Sequence, residues 1–366
     1  MERADLRRIL INFQIPGDFI DVTPYGSGHI HDTYVSRFMT VNGVSRYIHQ
    51  RINQKVFHEP EKLMRNIERV TAHLRRKIIA VGGDAERETL NLIPALDGKC
   101  FHRSDNGSYW RTFAFIEGAR TYDTVENRNM VYEVGYAFGK FQHLMADLLG
   151  EPLHETIPDF HNTPKRFQMF VQSLEKDVVN RARSVTKEIE FVKNRAHEVS
   201  LVLDLFKQGK IPERIAHNDT KFNNVMIDDQ TKKALCVIDL DTVMPGLSTY
   251  DFGDSVRMGA STAAEDERDL SKVSLDLEMF NGLACGYLDA CRTFLTSSEM
   301  DYLPFASKLM TFECGMRFLT DYLDGDIYFK IKRENHNLDR CRTQFKMVED
   351  MEQKMKRMIE IVKRYS

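Results

Sequence analysis

Two polar segments of the chain combine carboxylates, a histidine and an amide at a spacing suited to catalysis. The first is a His-x-Asp-x-x-x-x-Asn pattern formed by His217, Asp219 and Asn224, and the second is an apolar run that ends in Asp239. Phosphoryl transfer to an alcohol needs a carboxylate that accepts the hydroxyl proton, and oxygen ligands that hold Mg²⁺ against a triphosphate. We therefore expect Asp219 to be the catalytic base, with Asn224 and Asp239 as metal ligands.

Two further aspartates follow these segments. Asp241 lies two residues after Asp239 and faces the same side of an extended strand, so it is a candidate for another metal ligand. Asp251 begins a run Asp-Phe-Gly, which spells the magnesium motif of protein kinases but lies beyond the strand that ends in Asp239. We expect Asp251 to be structural and to bond the backbone of the loop that carries Asp219. His217 is expected to support the same loop through hydrogen bonds.

The elements that must position these residues divide the chain into a β-rich first part and a mainly helical remainder. Short apolar runs separated by turn signals predict strands in roughly the first hundred residues, with one helix from about Pro60 to Lys77. After Gly118 the periodicity is helical, and Val131 to Leu149 is a strong amphipathic candidate. A β interlude from about 214 to 243 contains both polar segments.

This order of elements predicts an α+β fold with two lobes. Residues 1–117 form a small β-rich lobe, and residues 118–366 form a large, mainly helical lobe. The hinge is expected at Phe115–Gly118, where backbone groups would bind the edge of an adenine ring.

Composition excludes several classes of protein. The 366 residues are 42% hydrophobic and 29% charged, with a formal net charge of −3, so there is no basic excess of the kind that nucleic-acid-binding proteins show. The six cysteines form no Cys-x-x-Cys pair, which favours reduced thiols and a cytoplasmic location. We expect no signal peptide, no membrane-spanning helix and no membrane partner. The oligomeric state stays open.

The loop from His217 to Asn224 resembles the catalytic loop of the kinase-like superfamily that includes aminoglycoside phosphotransferases, choline kinases and homoserine kinases. Other stretches resemble bacterial N-acetylhexosamine 1-kinases over nearly the whole chain, namely residues 25–30, 163–167, 238–242, 244–246, 251–255, 259–263 and 313–319. The resemblance implies a bilobal protein-kinase-like fold of the aminoglycoside phosphotransferase type. It also implies phosphorylation of the anomeric hydroxyl of GlcNAc or GalNAc, with ATP and Mg²⁺ as cofactors.

A nucleotide site is expected near the N-terminus and on the following strands. The glycines in a Gly-x-Gly loop let backbone N–H groups approach phosphates. Protein kinases place a lysine on the third strand, but the matching strand here has none, so Gln50 or Arg51 is expected to meet the phosphates and Glu68 to be the helix partner. The candidate nucleotide-binding residues are Gly26, Ser27, Gly28, Gln50, Arg51, Glu68, Phe115 and Glu117.

The acceptor side is expected in the helical lobe. Glu313, Arg317 and Asp321 recur at four-residue steps, so they lie on one helix face and predict either a solvated charged ladder or an arginine held for substrate binding. The resemblance implies that Arg317 and Tyr328 bind the sugar, with His29 reaching from the small lobe. Asp219 must also contact the sugar, because it activates the sugar's hydroxyl.

Two alternatives remain open. The catalytic loop does not separate a sugar kinase from kinases that act on homoserine, choline or methylthioribose. A choline site needs an aromatic cage, and the sole tryptophan, Trp110, lies near the predicted hinge, away from the helical lobe. A pseudokinase that binds ligands without catalysis is the other alternative, and the presence of Asp219, Asn224 and Asp239 argues against it.

Overall fold

The computed structural model describes residues 3–26, 30–123 and 128–366. These residues form two compact units. The first comprises residues up to 120 together with 147–158 and 226–244, and the second comprises the rest of the described chain. The predicted lobe boundary after residue 117 stays a prediction.

The secondary structure alternates between strands and helices in the first part and is dominated by helices later. In chain order the elements are α1 (Arg3–Leu10), β1 (Asp18–Pro24), β2 (Asp32–Thr40), β3 (Gly43–Arg51), α2 (Pro60–Ala80), β4 (His102–Arg103), β5 (Tyr109–Ala114), β6 (Ala119–Arg120), α3 (Arg128–Met145), α4 (Thr163–Lys176), α5 (Thr186–Asn194), α6 (Leu201–Lys207), β7 (Arg214–Ala216), β8 (Val225–Asp228), β9 (Ala234–Val237), β10 (Met244–Gly246), α7 (Ser248–Gly259), α8 (Leu277–Cys291), α9 (Ser297–Leu323) and α10 (His336–Val362). The predicted α+β class is confirmed.

The first unit is built around an antiparallel five-stranded sheet with the order β1-β2-β3-β5-β4. The register places Thr33 opposite Gln50, and Gln50 opposite Arg111. Side chains directly opposite each other on neighbouring strands lie on the same face of a sheet. These three side chains therefore form one row across the sheet.

Two helices accompany this sheet. On α2 the apolar residues Leu63, Ile67, Val70 and Leu74 are all buried, as the periodicity predicts. Helix α1 is not predicted by the sequence analysis, which expects only one helix in this part of the chain. It forms because its few apolar residues, among them Leu6, pack into a small cluster around Trp110.

A second sheet in the first unit, with the order β6-β8-β9, leads into the strand-end aspartates. After β9 the chain passes Asp239, whose φ of 61° is in the left-handed region. A single 3-10 turn at Leu240–Thr242 follows. The backbone is therefore not extended from Asp239 to Asp241, and the expectation that both side chains share one face of a strand is wrong.

The second unit is a helical assembly centred on α9, which packs against α4, α7 and α10. Most of the side chains of α9 are buried, including the charged side chains of Glu299, Lys308, Glu313 and Asp321. The predicted helix at Val131–Leu149 is present as α3 but ends at Met145. The segment 260–276 contains no α-helix, whereas a helical pattern is expected there.

Helices α3 and α8 lie unusually close together because glycines line their contact. A Cβ atom on Gly139 would lie 2.4 Å from the carbonyl oxygen of Tyr287, and one on Gly286 would lie 2.1 Å from that of Tyr132. Only glycine fits at either position without moving the backbone.

Two further sequence expectations can be compared with the described residues. All six cysteines are free thiols, three of them buried. Among the described helices, none is both long enough and apolar enough to cross a bilayer.

Candidate active site

The loop after β7 is held by one buried carboxylate. Asp251 on α7 accepts hydrogen bonds from the backbone N–H groups of His217 at 2.8 Å and Asn218 at 2.7 Å. Gln142 donates a third bond at 2.5 Å, and Thr220 donates its hydroxyl to the Asp251 carbonyl at 2.6 Å. The expectation that Asp251 bonds the backbone of this loop is confirmed. Burial raises the pKa of Asp251, which these hydrogen bonds and His217 oppose.

The same loop needs two unusual backbone features. Asn218 has a φ of 63°, and asparagine tolerates this left-handed conformation better than most residues. A Cβ atom on Gly246 of β10 would lie 2.8 Å from Cβ of Ala216 and 2.9 Å from Oδ1 of Asn218. The absence of a side chain at Gly246 therefore leaves room for the loop.

Asp219 and Asn224 lie together in the second unit. The Asn224 side-chain amide donates to the Asp219 carbonyl at 2.8 Å and to its Oδ2 at 3.2 Å. His217 Nδ1 accepts a bond from the backbone N–H of Asp219 at 3.3 Å, as expected for a residue that supports the loop. Since the Asn224 amide nitrogen is engaged, its oxygen is the atom left for a metal ion, and it has no protein partner in the described part of the chain.

Lys221 was not singled out from the sequence, although it lies in the same loop. Its Nζ is 2.8 Å from Oδ2 of Asp219, and both side chains are partly exposed. Its position two residues after the predicted base was the available signal. The ammonium group places a positive charge beside the carboxylate.

The strand-end aspartates lie in the first unit and have different environments. Both carboxylate oxygens of Asp241 accept from Arg111, at 2.7 and 2.6 Å, and His31 Nε2 lies 3.3 Å from one of them. Asn53 donates its backbone N–H to His31 Nδ1 at 3.1 Å, so the ring proton lies on Nε2 and points to Asp241. Burial opposes ionisation, but the charge of Arg111 and the hydrogen bond from His31 hold the pKa of Asp241 well below its usual range.

This geometry separates the roles of the two aspartates. Both oxygens of Asp241 already accept from Arg111, and His31 lies against one of them, so Asp241 fits a structural role better than the predicted role of metal ligand. Among the described residues, no three His, Cys, Asp or Glu side chains are arranged to hold a metal ion. Asp239 therefore stays a predicted ligand, as does Asn224.

Arg111 is a second functional candidate that the sequence analysis missed. Its Nε donates to Gln50 Oε1 at 2.9 Å, and Gln50 Nε2 donates to Thr33 Oγ1 at 3.2 Å. Thr156 donates its hydroxyl to the Asp241 carbonyl at 2.7 Å. The row across the sheet thus ends on the turn that follows Asp239. No local pattern marks Arg111, because its partner is distant in sequence.

The predicted nucleotide residues have the following surroundings. Gly26 has a φ of 77°, whereas Ser27, Gly28 and His29 lie outside the described residues. Arg51 forms an exposed ion pair with Asp32. Glu68 is exposed on α2 and, among the described residues, pairs with neither Gln50 nor Arg51.

Glu68 acts instead on a nearby thiol. Burial together with the charge of Glu68 raises the pKa of Cys100 to about 12. The expected pairing of a strand residue with Glu68 is therefore absent from the described residues.

The expected hinge carries a stack of side chains. The Arg46 guanidinium lies 3.7 Å from the ring centroid of Phe115 and also pairs with Glu117. The Tyr25 ring meets Phe115 edge-on, with centroids 5.8 Å apart. Arg87 donates to the Glu117 carbonyl at 3.0 Å and to Asp228 at 2.7 Å. These contacts fix the position of the hinge backbone.

The helix face that carries Arg317 is not a charged ladder. Glu313 is buried and bonded to His161 and Thr163, and Asp321 accepts from Asn337. Arg317 forms no hydrogen bond or ion pair within the described residues. Its guanidinium lies 5.6 Å from the ring centroids of both Phe160 and Phe329. The expectation that flanking carboxylates hold Arg317 by ion pairs is wrong.

His161 connects this helix face to the catalytic loop. Its Nδ1 lies 3.0 Å from Glu313 and its Nε2 lies 3.0 Å from the Asn218 carbonyl. Burial opposes protonation, but Glu313 raises the pKa of His161 overall, and in turn His161 lowers that of Glu313 against the effect of burial. Because Asn218 precedes Asp219, Arg317 lies on the side of the unit that carries the catalytic loop.

Tyr328 is the remaining acceptor candidate. It follows α9, and its backbone N–H donates to Asp321 at 2.7 Å. Its side chain is 66% exposed, which leaves the phenol accessible to a ligand.

Comparisons with known proteins identify the family and the fold. The model of a phosphotransferase enzyme family matches residues 21–274. The chain is similar in structure to a microcompartment-associated aminopropanol kinase, with a TM-score of 0.61 and 14% identity over 97% of this chain and 98% of that one.

Two further solved structures are also similar. An amicoumacin kinase in complex with AMP-PNP and Ca²⁺ gives a TM-score of 0.57 and 12% identity, over 94% and 92% of the two chains. An aminoglycoside phosphotransferase from Alicyclobacillus acidocaldarius gives 0.58 and 11%, over 98% and 96%. At these identities the likeness shows the fold, and the predicted aminoglycoside phosphotransferase-like fold is confirmed.

Proposed function

Because the chain belongs to the phosphotransferase enzyme family, and is thus a small-molecule kinase, we propose that it phosphorylates the anomeric hydroxyl of N-acetylhexosamines such as GlcNAc and GalNAc. ATP is the proposed donor, Mg²⁺ the proposed metal, and the sugar 1-phosphate and ADP the products. The observation that carries the kinase part is the loop in which Asp251 fixes the backbone beside Asp219. The sugar part rests on the resemblance and on Arg317.

Asp219 acts as the general base. It accepts the proton of the anomeric hydroxyl as the hydroxyl oxygen forms a bond to the γ-phosphorus. The bond between that phosphorus and the bridging oxygen breaks, and its electrons leave with ADP. Lys221, at 2.8 Å from Asp219, offers positive charge to the phosphoryl oxygens during transfer.

The metal is assigned to oxygen ligands on the two polar segments. Asn224 fits because its amide oxygen is free of protein partners in the described chain, and Asp239 supplies the carboxylate. Mg²⁺ commonly uses one or two carboxylates together with phosphates and waters. When bound, it offsets the charge that develops on the phosphates. Asp241 is assigned a structural role instead, because its bonds to Arg111 and His31 hold the turn that follows Asp239.

The nucleotide is assigned to the first unit. The hinge at Phe115 and Glu117 offers backbone groups to adenine, and Gly26 begins the loop proposed for the phosphates. Gln50 is held towards Arg111, whereas Arg51 is exposed at the C-terminal end of β3. We therefore assign the phosphates to Arg51 in preference to Gln50, because Arg51 is charged and its ion partner is exposed.

The acceptor is assigned to Arg317 and Tyr328, with His29 as a further contact. The Arg317 guanidinium is positioned by two aromatic rings and keeps its N–H groups for a ligand. Guanidinium donors suit the carbonyl and hydroxyl oxygens of an acetylated sugar.

The same residues argue against an amino alcohol such as choline. A quaternary ammonium needs a free aromatic cage. Here Arg317 already lies against the rings of Phe160 and Phe329, and its positive charge would repel a cationic acceptor. Homoserine and methylthioribose kinases remain sibling alternatives, and a pseudokinase is the non-catalytic one.

An ADP-release screen tests the proposal. The purified protein is assayed with ATP and Mg²⁺ over a panel of sugars and amino alcohols, and phosphorus NMR locates the new ester. Asp219→Asn is expected to lower kcat by on the order of 10²-fold or more, because the general base is lost. Asp301→Asn removes an exposed carboxylate of α9 and serves as the control, with turnover unchanged.

Three results would contradict parts of the proposal. Near-normal turnover in Asp219→Asn removes the base assignment. A phosphate on a primary hydroxyl overturns the anomeric claim and leaves the kinase claim intact. Release of ADP with amino alcohols and not with sugars moves the protein to the choline kinase-like alternative.

A further inference from the structure

Two guanidinium groups converge beside Phe160 in the second unit. Arg166 Nη2 donates to the Phe160 carbonyl at 2.9 Å, and the Arg317 guanidinium lies 5.6 Å from the Phe160 ring centroid. Neither arginine forms an ion pair with any described residue. Two like charges this close repel each other, and a ligand that brings negative charge relieves that repulsion.

The carboxylates around this pair are already engaged. Asp159 pairs with Lys165, and Glu313 is bonded to His161. Asp321 accepts the backbone N–H groups of residues 327–329. Glu313 and Asp159 still act on Arg166 through their charge, but among the described residues neither accepts a hydrogen bond from either arginine.

One N–H donor of Arg166 also lacks a hydrogen-bond acceptor. Its Nε is buried and has no partner in the described structure. Burial and the like charge of Arg317 lower the pKa of Arg166, and the charges of Glu313, Tyr328 and Asp159 offset this only in part. A buried donor on a cation is costly to leave unpaired. A bound ligand with acceptor oxygens would remove that cost.

We propose that Arg166 and Arg317 form a subsite for an oxyanion, a carboxylate or a phosphate, that is carried by the acceptor. Guanidinium groups bind these planar or tetrahedral oxyanions through paired N–H donors, and two arginines together give specificity for negative charge. This inference rests on the proposed function, because it places the acceptor next to Arg317. It extends the acceptor class from neutral N-acetylhexosamines to acidic ones, such as a hexosamine 6-phosphate or a hexuronic acid.

The position of the subsite relative to the catalytic loop supports this assignment. Phe160 immediately precedes His161, and His161 Nε2 lies 3.0 Å from the carbonyl of Asn218. Asn218 is the neighbour of Asp219. An acceptor whose hydroxyl reaches Asp219 therefore has its other substituents on the side of the unit where the two arginines lie.

The test compares neutral and acidic acceptors in matched variants. Steady-state kinetics are measured with N-acetylglucosamine, its 6-phosphate and glucuronic acid, in the wild type, Arg166→Gln and Arg166→Lys. Arg166→Gln should lower kcat/KM for an acidic acceptor by about 10- to 100-fold, the range for losing a hydrogen bond to a charged group, and leave the neutral sugar within about 3-fold. Arg166→Lys should give a kcat/KM for the acidic acceptor between those of the wild type and Arg166→Gln, because the positive charge remains but the planar guanidinium is lost.

Lys176→Gln is the control variant. Lys176 is exposed at the end of α4, the helix that carries Arg166. This change removes one positive charge at a distance from Phe160 and should leave kcat/KM for both acceptors unchanged. The thermal midpoint of each variant confirms that it is folded. Isothermal titration of inorganic phosphate gives a second measurement that does not depend on turnover.

The outcomes separate the inference from the proposed function. Inorganic phosphate that binds in wild type and not in Arg166→Gln supports the subsite even if no sugar is phosphorylated, and it then identifies a free oxyanion as the occupant. Acidic acceptors that are used and lose activity in Arg166→Gln identify the acceptor as the carrier. If neither phosphate binding nor any acidic acceptor responds to Arg166→Gln, the subsite is overturned while phosphorylation of neutral sugars stands.

Discussion

Replacing Arg111 by methionine removes the cation from a buried ion pair while keeping most of the side-chain volume. The side chains of Arg111 and Asp241 are 2% and 4% exposed. Removing one partner of such a pair leaves an uncompensated charge, which typically costs about 3–5 kcal/mol. For a unit of this size, each kcal/mol lost from the free energy of unfolding lowers the thermal midpoint by about 2–4 °C. A fall on the order of 10 °C is therefore expected for the first unit.

The pH dependence of stability gives the prediction its sharper form. In the wild type the pKa of Asp241 is depressed in the folded state. Its contribution to the free energy of unfolding is therefore fully present above the pKa of the unfolded chain, near 3.9, and is lost only as the pH falls below that pKa. Without Arg111, burial raises that pKa. In this variant the contribution of Asp241 to the free energy of unfolding is greatest below the pKa of the unfolded chain and is lost as the pH rises. Arg111→Met should therefore be less stable at pH 8 than at pH 5.5, relative to wild type.

Urea unfolding followed by circular dichroism at both pH values measures this difference. Arg37→Met is the matched control, because Arg37 pairs with Asp21 in the same sheet but is exposed, and little change is expected. If Arg111→Met unfolded within about 1 kcal/mol of wild type at both pH values, the reasoning about the buried pair would be refuted.

Two other substitutions test features of the second unit. Asn224→Ala should raise the Mg²⁺ concentration needed for half-maximal activity by on the order of 10-fold, because a metal ligand is lost. Asn223→Ala is the control and should leave this concentration unchanged. Equal metal dependence in the two variants would contradict the assignment of Asn224 as a ligand. Gly139→Ala should destabilise the protein by about 1–3 kcal/mol, because the new methyl group meets the Tyr287 carbonyl oxygen at 2.4 Å. Gly282→Ala is its control, since a Cβ there lies 3.4 Å from the nearest atom, and similar unfolding midpoints for the two variants would contradict the close packing of α3 and α8.

Local patterns were sufficient to predict that Asp219 and Asn224 lie together in one loop. The spacing of His217, Asp219 and Asn224 is set within one short loop, so its geometry depends on few distant contacts. The role of Asp251 was also predictable, because its position after the strand that ends in Asp239 excluded the metal role. The periodicity of α2 identified the residues that the helix buries.

The pairings that depend on tertiary structure were not predictable. Arg111 and Gln50 meet because β3 pairs with β5, and nothing in either segment shows which residue will lie opposite which. The same holds for Glu68, whose expected strand partner is replaced by Cys100. Helix α1 escaped prediction because its stability comes from packing around Trp110 and not from a long periodic pattern.

The charged face of α9 shows a third reason for failure. Four-residue spacing places Glu313, Arg317 and Asp321 on one side of a helix, but it does not show which other groups compete for them. His161 is hydrogen-bonded to Glu313, and Asn337 donates to Asp321. The Arg317 guanidinium lies against aromatic rings. Spacing alone therefore could not distinguish a salt-bridged ladder from an unpaired guanidinium.

The long separation in sequence between Arg111 and its counterion has a consequence for biosynthesis. The two residues are 130 positions apart, and the first unit also draws on residues 226–244. At ribosomal speeds of about 5–20 residues per second, the strand that bears Arg111 waits on the order of ten seconds for Asp241 to emerge. During that interval the nascent N-terminal part has a guanidinium that it cannot bury favourably. A translation product that stops before residue 241 would be a substrate for chaperones and proteases, and the unit cannot be produced as one contiguous fragment.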